Sequence, residues 1–200
     1  MGAVELLALA GSVSLLAGWR LYLCVFATGL AMRTGWIAAP EQLEMLTVLA
    51  NPWVIGAAAI ALAAEFLADK IAWLDSAWDA IHTLIRPVGG ALLAAAIVDA
   101  DDPAWQVVVF LLGGGAALLG HGAKASARAV VNTSPEPFSN VLVSGVEDVA
   151  TGSLLFAALA NPAVAIIVFV VALGFAIALL WFAGRLLKRL LSPRPPRESS

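Results

Sequence analysis

The stretch AVAIIVFVVALGFAIALLWFAG, residues 163–184, decides the fold of this chain. It carries no charge, begins one residue after Pro162 and ends at Arg185. A helix that crosses the apolar part of a bilayer needs about 20 mostly apolar residues. The stretch therefore predicts a membrane-spanning α-helix, and Pro162 suits its first turn.

The remainder of the chain is also apolar, so this helix is not a lone anchor on a soluble domain. Hydrophobic residues make up 62% of the 200 residues and charged residues 12%, with a net charge of −3; mean hydropathy is +0.94. A soluble domain averages about 45–50% apolar and about 25% charged residues. We therefore expect the lipid bilayer to be the main partner, and we expect no nucleic acid. Cys24 is the only cysteine, which excludes an internal disulfide.

Other apolar runs extend this pattern towards the amino terminus. They are residues 6–31 (interrupted by Arg20), 52–64, 88–98, 104–120 and 141–160. Strand-like alternation is absent, and spanning backbone must satisfy its own hydrogen bonds. The sequence predicts an all-α, polytopic membrane helix bundle with about five to seven membrane segments, some short or broken. We expect one membrane domain, residues 1–190, and a disordered cytoplasmic tail, residues 191–200.

Basic residues close the last apolar run and indicate its orientation. Arg185, Lys188 and Arg189 follow it directly. Basic residues beside a span normally stay in the cytoplasm. We therefore expect a cytoplasmic carboxyl terminus, and specific binding of acidic lipid is the alternative for this cluster.

Two halves of the chain repeat the same order of features. Leu-Ala-Asn-Pro occurs at 49–52 and at 159–162, each time before a long apolar run. Asn is a good helix cap and Pro suits the first turn, so each tetrapeptide predicts a helix start. Small-residue segments precede both, and in the first of them Ala10, Ser14 and Gly18 line one helix face for close packing. We predict internal repeats at 5–70 and 107–188, although Ala- and Leu-rich sequence also produces such likeness by chance.

The first group of ionisable residues surrounds the end of the second apolar run. Glu65 and Asp69 share a helix face, and an unpaired carboxylate there would be costly. Pairing with Lys70 or a base of the other half is one interpretation, and a cation or proton site is the other. Asp75, Asp79, His82 and Arg86 also share a face. For residues 75–86 we favour a solvated interfacial helix over one that closes onto the bundle.

The second group lies in the other half. His121, Lys124 and Arg128 share a helix face, and Pro135 and Pro137 are expected to break the helix beyond them. Residues 121–140 alone are typical of an extramembrane loop. Glu147 and Asp148, however, are flanked by apolar residues on both sides. A buried network joining Lys124 and Arg128 to Glu147 and Asp148 would neutralise both pairs.

The order of several short motifs resembles the bacterial membrane family catalogued as domain of unknown function 4126. The likeness covers residues 5–185 and rests on Ala17-Gly18-Trp19-Arg20-Leu21-Tyr22, Glu65-Phe66-Leu67-Ala68-Asp69-Lys70, Ile85-Arg86-Pro87-Val88-Gly89-Gly90, Lys124-Ala125-Ser126-Ala127-Arg128, Ser134-Pro135-Glu136-Pro137-Phe138-Ser139-Asn140 and Glu147-Asp148. The resemblance implies a polytopic inner-membrane protein and no established activity.

The leading functional hypothesis is a small transporter or channel-like protein with a polar site between two halves. Glu65, Asp69, Glu147 and Asp148 would bind a cation or proton, while Arg20, Lys124 and Arg128 would balance charge or meet an anionic solute. The alternative is a non-catalytic membrane scaffold or accessory subunit with structural ion pairs, and a homo-oligomer stays open. We expect no enzyme, cofactor or metal centre, since His82 and His121 stand in separate contexts and no Gly-x-Ser-x-Gly motif is present.

Overall fold

The computed structural model describes residues 1–37, 41–132 and 137–191, and within these ranges the regular structure is helical. In chain order it contains α1 (Ala3–Arg33), a 3₁₀ segment (Glu41–Ala50), α2 (Pro52–Ala68), α3 (Ala72–Val98), α4 (Pro103–Val131), α5 (Pro137–Ala160) and α6 (Pro162–Leu191). Five helices, α1 and α3 to α6, are long and apolar enough to cross a membrane. The 3₁₀ segment and α2 meet at a bend of 71°, which is the shape of either a broken sixth span or a re-entrant loop. The predicted polytopic helix bundle is confirmed.

Helix α1 lies at the centre of the bundle. It packs against the 3₁₀ segment and against each of the other five helices, and it contributes more side chains to the buried core than any other helix. The amino-terminal run 6–31 was predicted to be interrupted at Arg20. The backbone of Arg20 is indeed non-helical, with φ −143° and ψ 75°. The central helix is therefore broken at its one buried charge.

Small residues allow α1, α3 and α4 to approach closely. A Cβ on Gly18 would lie 2.0 Å from the Ala117 carbonyl oxygen, and one on Gly120 would lie 2.2 Å from that of Leu15. Ser14 Oγ donates a hydrogen bond of 2.9 Å to the Gly90 carbonyl and so joins α1 to α3. The predicted small-residue face of α1 thus packs against other helices, as in many membrane bundles.

Helix α3 corrects the expectation of a solvated interfacial helix. Its charged face, which holds Asp75, Asp79 and Arg86, is buried against the bundle, whereas Trp73 is 72% exposed and Ile81 61% exposed. A water-soluble helix places its apolar face inwards, so this arrangement is inverted. The apolar face of α3 points outwards, where it suits contact with lipid, and its charged face points inwards, where it forms ion pairs with side chains of the same bundle.

Two further boundaries differ from the expectations. Helix α4 continues beyond Gly120 to Val131, so residues 121–131 are not part of a loop; they stay helical because His121, Lys124 and Arg128 find buried partners. Residue Leu191 still belongs to α6, while the rest of the predicted tail, 192–200, lies outside the described residues. Of the two predicted helix breakers, Pro135 also lies outside them, and Pro137 is the first residue of α5. The repeats 5–70 and 107–188 stay a prediction.

Both Leu-Ala-Asn-Pro tetrapeptides start helices, as predicted. Asn51 Oδ1 accepts a hydrogen bond of 2.9 Å from the Trp53 amide, and Asn161 Oδ1 accepts one of 2.9 Å from the Ala163 amide. Pro52 and Pro162 are the first residues of α2 and α6. Each asparagine satisfies an amide that the helix itself leaves unpaired.

Replacing Asn161 with alanine is expected to lower the free energy of unfolding by about 1 kcal/mol, because the cap of α6 is lost. Asn161→Asp, which keeps an acceptor oxygen, should stay within about 0.5 kcal/mol of the wild type. Thermal unfolding of the purified variants in detergent measures both. Equal stability of the alanine variant and the wild type would show that the cap contributes nothing.

Candidate functional site: a buried charge cluster

Charged side chains from five helices converge inside the bundle, beside the break in α1. We call this set the charge cluster. Its cations are Arg20, Lys70, Arg86, Lys124 and Arg128, and its carboxylates are Glu65, Asp69, Asp75, Asp79, Glu147 and Asp148. All seven residues singled out from the sequence belong to it. The two groups of ionisable residues, far apart along the chain, are thus brought together.

Arg20 joins α1 to α5 and to the end of α2. Its guanidinium pairs with Asp69, lies 3.1 Å from Glu147 Oε2 and lies 3.1 Å from Asp148 Oδ1. It also donates to Ser144 Oγ at 3.1 Å. With an exposure of 0%, the guanidinium depends on these partners instead of water.

Asp69 follows α2 and lies between that helix and α3. Its carboxylate pairs with Arg20, and its Oδ1 lies 3.5 Å from Lys124 Nζ. Its backbone oxygen accepts a hydrogen bond of 2.6 Å from Arg128 Nη2. Asp69 is therefore held from three sides by cationic side chains.

Arg86 organises the side of the cluster formed by α3. It lies 2.6 Å from Glu65 Oε1 and 2.9 Å from Asp79 Oδ1, and 2.7 Å from His121 Nδ1. Because arginine only donates hydrogen bonds, His121 Nδ1 must accept and carry no proton. The other ring nitrogen, Nε2, then donates to Thr83 Oγ1 at 3.0 Å. This geometry assigns a neutral imidazole to His121.

His82 lies on the charged face of α3, and its hydrogen-bond partners differ from those of His121. Its Nδ1 lies 2.7 Å from the Trp78 carbonyl oxygen, and its Nε2 lies 2.9 Å from the Tyr22 hydroxyl. A carbonyl oxygen only accepts, so Nδ1 carries the proton and Nε2 accepts from Tyr22. Within the described residues, no group of three or more His, Cys, Asp or Glu side chains has the geometry to hold a metal ion.

Lys124 differs from the arginines because its ammonium is shared loosely. Lys124 Nζ lies 3.5 Å from Asp69 Oδ1, 3.8 Å from Glu65 Oε1 and 3.8 Å from Asp79 Oδ1. Among the described residues it has no hydrogen-bond partner, and its exposure is 0%. A buried ammonium without a hydrogen bond is costly. Among the described residues, the Lys124 ammonium is thus held by electrostatic attraction to three carboxylates and by no hydrogen bond.

Arg128 closes the cluster at the end where α3 begins. Its Nε lies 3.1 Å from Asp75 Oδ2, and Asn132 Nδ2 donates to the same oxygen at 2.7 Å. A polar cavity of about 260 Å³ lies here between α3 and α4, lined among others by Asp75, Asp79, Thr83, His121, Arg128 and Asn132. It connects the outer surface of the bundle to the buried charges.

The predicted pairing between the two groups of the second half is wrong. Lys124 and Arg128 pair with Glu65, Asp69, Asp75 and Asp79, whereas Glu147 and Asp148 pair with Arg20. The basic residues of α4 therefore pair with acidic residues nearer the amino terminus, and the acidic residues of α5 pair with a basic residue of α1. The reason is that α4 packs against α3 and that α1 packs against α5. Spacing along one helix indicates which residues share a face, but not which helix that face meets.

Sequence reasoning did not assign Asp75, Asp79 or Arg86 to the site. Their spacing was recognised, but it was interpreted as a water-facing surface. The available signal was the opposite face, which is apolar enough to face lipid at Trp73 and Ile81. A helix with one lipid-compatible face needs a polar partner for the other.

Comparison with known proteins gives a family and no further relative. The family model described as Domain of unknown function (DUF4126) matches residues 7–182. No curated protein and no solved structure matches the chain.

Proposed function

This chain belongs to the Domain of unknown function (DUF4126) family, and we propose that it is a small membrane transporter or channel-like protein whose charge cluster binds a cation or proton. The observation that carries this proposal is the charge balance of the cluster. Six carboxylates face five cationic side chains, and His121 is neutral by its hydrogen bonds. One proton or one monovalent cation would bring the cluster to neutrality.

An unbalanced charge is expensive in this place. The charged atoms of Glu65, Asp69 and Asp75 are fully or almost fully buried, and within the described ranges Glu65 Oε2, Asp69 Oδ1 and Asp75 Oδ1 lack hydrogen-bond partners. Burial of a charge without a matching partner costs several kcal/mol. Oxygen atoms that are free to accept are the ligands that a hard cation or a proton requires.

Lys124 supports an exchange mechanism. Its ammonium occupies the point between Glu65, Asp69 and Asp79 without a hydrogen bond to any of them. Loss of its proton, or a swing of its flexible side chain, would leave the negative charge of Glu65, Asp69 and Asp79 to be balanced by an incoming proton or cation. In this proposal Lys124 serves as the internal counter-ion that the transported cation replaces.

The backbone around the cluster supports a pathway. Non-helical backbone at membrane depth is tolerated where it lines a polar site, and broken helices form the sites of many transporters. Here α1 is broken at Arg20, and the 3₁₀ segment and α2 meet at a bend of 71°. The polar cavity between α3 and α4 provides the entrance on one side.

The position of the chain in the cell completes the proposal. We propose that it resides in the cytoplasmic (inner) membrane with a cytoplasmic carboxyl terminus, since Lys188 and Arg189 lie in the last turns of α6. If the 3₁₀ segment and α2 together cross the membrane, three spans lie between the starts of the repeats 5–70 and 107–188, and the repeats would then be inverted. We propose no enzymatic role, and a homo-oligomer stays a prediction.

A scaffold or accessory subunit is the second candidate, and the arginines favour it. Arg20 and Arg86 have three and two carboxylate partners, respectively, which is the pattern of structural ion pairs. Such pairs would fix the helices in one arrangement. The two candidates differ in one measurable property, the movement of an ion.

The flux test uses purified protein in proteoliposomes with gradients of H⁺, Na⁺ or K⁺ and a trapped indicator dye. We expect flux with the wild type, and a decrease of about tenfold or more, roughly 1.4 kcal/mol, for Glu65→Gln and Asp148→Asn. Both substitutions keep the size of the side chain and remove its charge. Glu44→Gln, which changes an exposed carboxylate outside the cluster, is the matched control.

Two results would contradict the proposal. If Glu65→Gln and Asp148→Asn leave the flux unchanged, the cluster is not the ion site. If the wild type moves none of the three ions while it remains folded, the scaffold is favoured.

A further inference from the structure

A second, apolar cavity adjoins the charge cluster on the side away from α3. It has a volume of about 500 Å³ and lies between α1, α4, α5 and α6. Small-molecule sites have volumes of about 300–1,000 Å³. This cavity is therefore large enough for an organic molecule and separate from the polar cavity between α3 and α4.

The wall of this cavity contains one charged group. Glu147 is the only ionisable side chain among the described residues that line it, and Thr151 adds a hydroxyl. Glu147 is 7% exposed. Its Oε2 lies 3.1 Å from Arg20 Nη2, but its Oε1 finds no hydrogen-bond partner within the described part of the chain. A buried, half-satisfied carboxylate thus stands at the boundary between the cluster and the cavity.

Aromatic rings complete the cavity. Trp19 from α1 and Phe175 from α6 line it, and their ring centroids are 5.9 Å apart. The faces of such rings attract cations, most strongly when water is excluded. A carboxylate and aromatic rings in an apolar cavity favour a ligand that is both positively charged and hydrophobic.

We propose that this cavity binds a monovalent lipophilic organic cation, such as an alkylated or aromatic ammonium or phosphonium ion. The positive centre would meet Glu147 Oε1, and the hydrophobic groups would contact Trp19, Leu154 and Phe175. A lipid acyl chain is the competing occupant of any apolar cavity in a membrane protein. It would leave the carboxylate unsatisfied, whereas a cation both pairs with Glu147 and neutralises the surplus negative charge of the cluster.

The inference names a substrate class for the proposed function. Transport of this class rests on the proposed function, whereas its binding in the cavity does not. Binding is tested separately, with radiolabelled tetraphenylphosphonium and purified wild type in detergent. Tetraphenylborate, which has nearly the same shape and the opposite charge, is the matched probe. We expect saturable binding of the phosphonium ion, and we expect no competition from the borate.

Two variants separate charge from shape. Glu147→Gln keeps the size of the side chain and removes its charge, and it should weaken phosphonium binding by at least about 30-fold. Ala172→Phe adds a ring to the α6 wall of the cavity while every charged residue is kept, and it should also abolish binding. Glu44→Gln removes an exposed carboxylate that belongs to neither the cavity nor the charge cluster, and its affinity should stay within about twofold of the wild type.

The outcomes distinguish this inference from the proposed function. Equal binding of the phosphonium and the borate, or unchanged affinity in Glu147→Gln, would show that binding does not depend on charge. The cavity would then be a site for an apolar chain such as a lipid acyl group, and the inference would be overturned. Flux of an inorganic cation without phosphonium binding would overturn the inference alone. Phosphonium binding without any flux would overturn the proposed function alone.

Discussion

Replacing Arg20 with methionine is expected to lower the free energy of unfolding by about 3–5 kcal/mol, the cost of breaking a buried ion pair by removing one partner. The reason is that Asp69, Glu147 and Asp148 all pair with this one guanidinium. Its removal leaves Asp69 and Glu147 without this partner in an interior that water does not reach, and Asp148 without it at a partly exposed position. Chemical or thermal unfolding in detergent micelles measures the effect.

The control for this prediction is Arg185→Met. Arg185 is exposed near the end of α6, where it lies over the Trp181 ring, and its loss should change stability by no more than about 0.5 kcal/mol. Adding Glu147→Gln and Asp148→Asn to Arg20→Met should recover part of the loss, because fewer charges remain unpaired. If Arg20→Met is as stable as the wild type, the cluster is hydrated and its ion pairs do not hold the bundle together.

Much of the fold follows from the sequence because lipid makes simple demands on a chain. The uncharged run that became α6, the two Asn-Pro helix starts and the interruption of α1 at Arg20 each follow from local chemistry: apolar length, capping and the cost of a buried charge. None of these needs knowledge of a neighbouring helix. The composition alone requires a helix bundle, since the backbone must pair with itself in lipid.

The candidate site was predictable in its members but not in its connections. Glu65, Asp69, Lys124 and Arg128 were singled out because charge in an apolar segment needs a reason. The partner of Lys124 was not predictable, since it depends on how α4 sits against α2 and α3. The same limit explains the error at Asp75 to Arg86: a polar helix face looks identical whether it meets water or the charges of another helix.

The structure also explains why one cluster can serve both stability and function. The arginines form short, directed ion pairs that fix α1, α3 and α5 around the break at Arg20. Lys124 lies among three carboxylates at longer distances and is the one fully buried cation of the described cluster that makes no hydrogen bond. A rigid frame of arginines around an exchangeable ammonium is an arrangement that could bind and release a cation without unfolding.

Replacing Gly18 with alanine is expected to lower the free energy of unfolding by about 1–3 kcal/mol, the usual cost of overpacking. The added Cβ would lie 2.0 Å from the Ala117 carbonyl oxygen. Backbone cannot rotate away as a side chain can, so α1 and α4 must move apart. Gly18 is two residues before Arg20, and any shift of α1 also displaces the guanidinium from Asp69. We therefore expect the upper part of this range.

Gly115→Ala provides the opposite result on the helix that Gly18 contacts. A Cβ on Gly115 would meet nothing within 4 Å, so the substitution should stabilise α4 by up to about 1 kcal/mol through the better helix propensity of alanine. Unfolding of both variants under the same detergent conditions compares them directly. Identical stability of the two variants would show that α1 and α4 do not cross at Gly18. Opposite signs would establish the close contact between α1 and α4 two residues before Arg20, which fixes the part of α1 that carries the central guanidinium of the cluster.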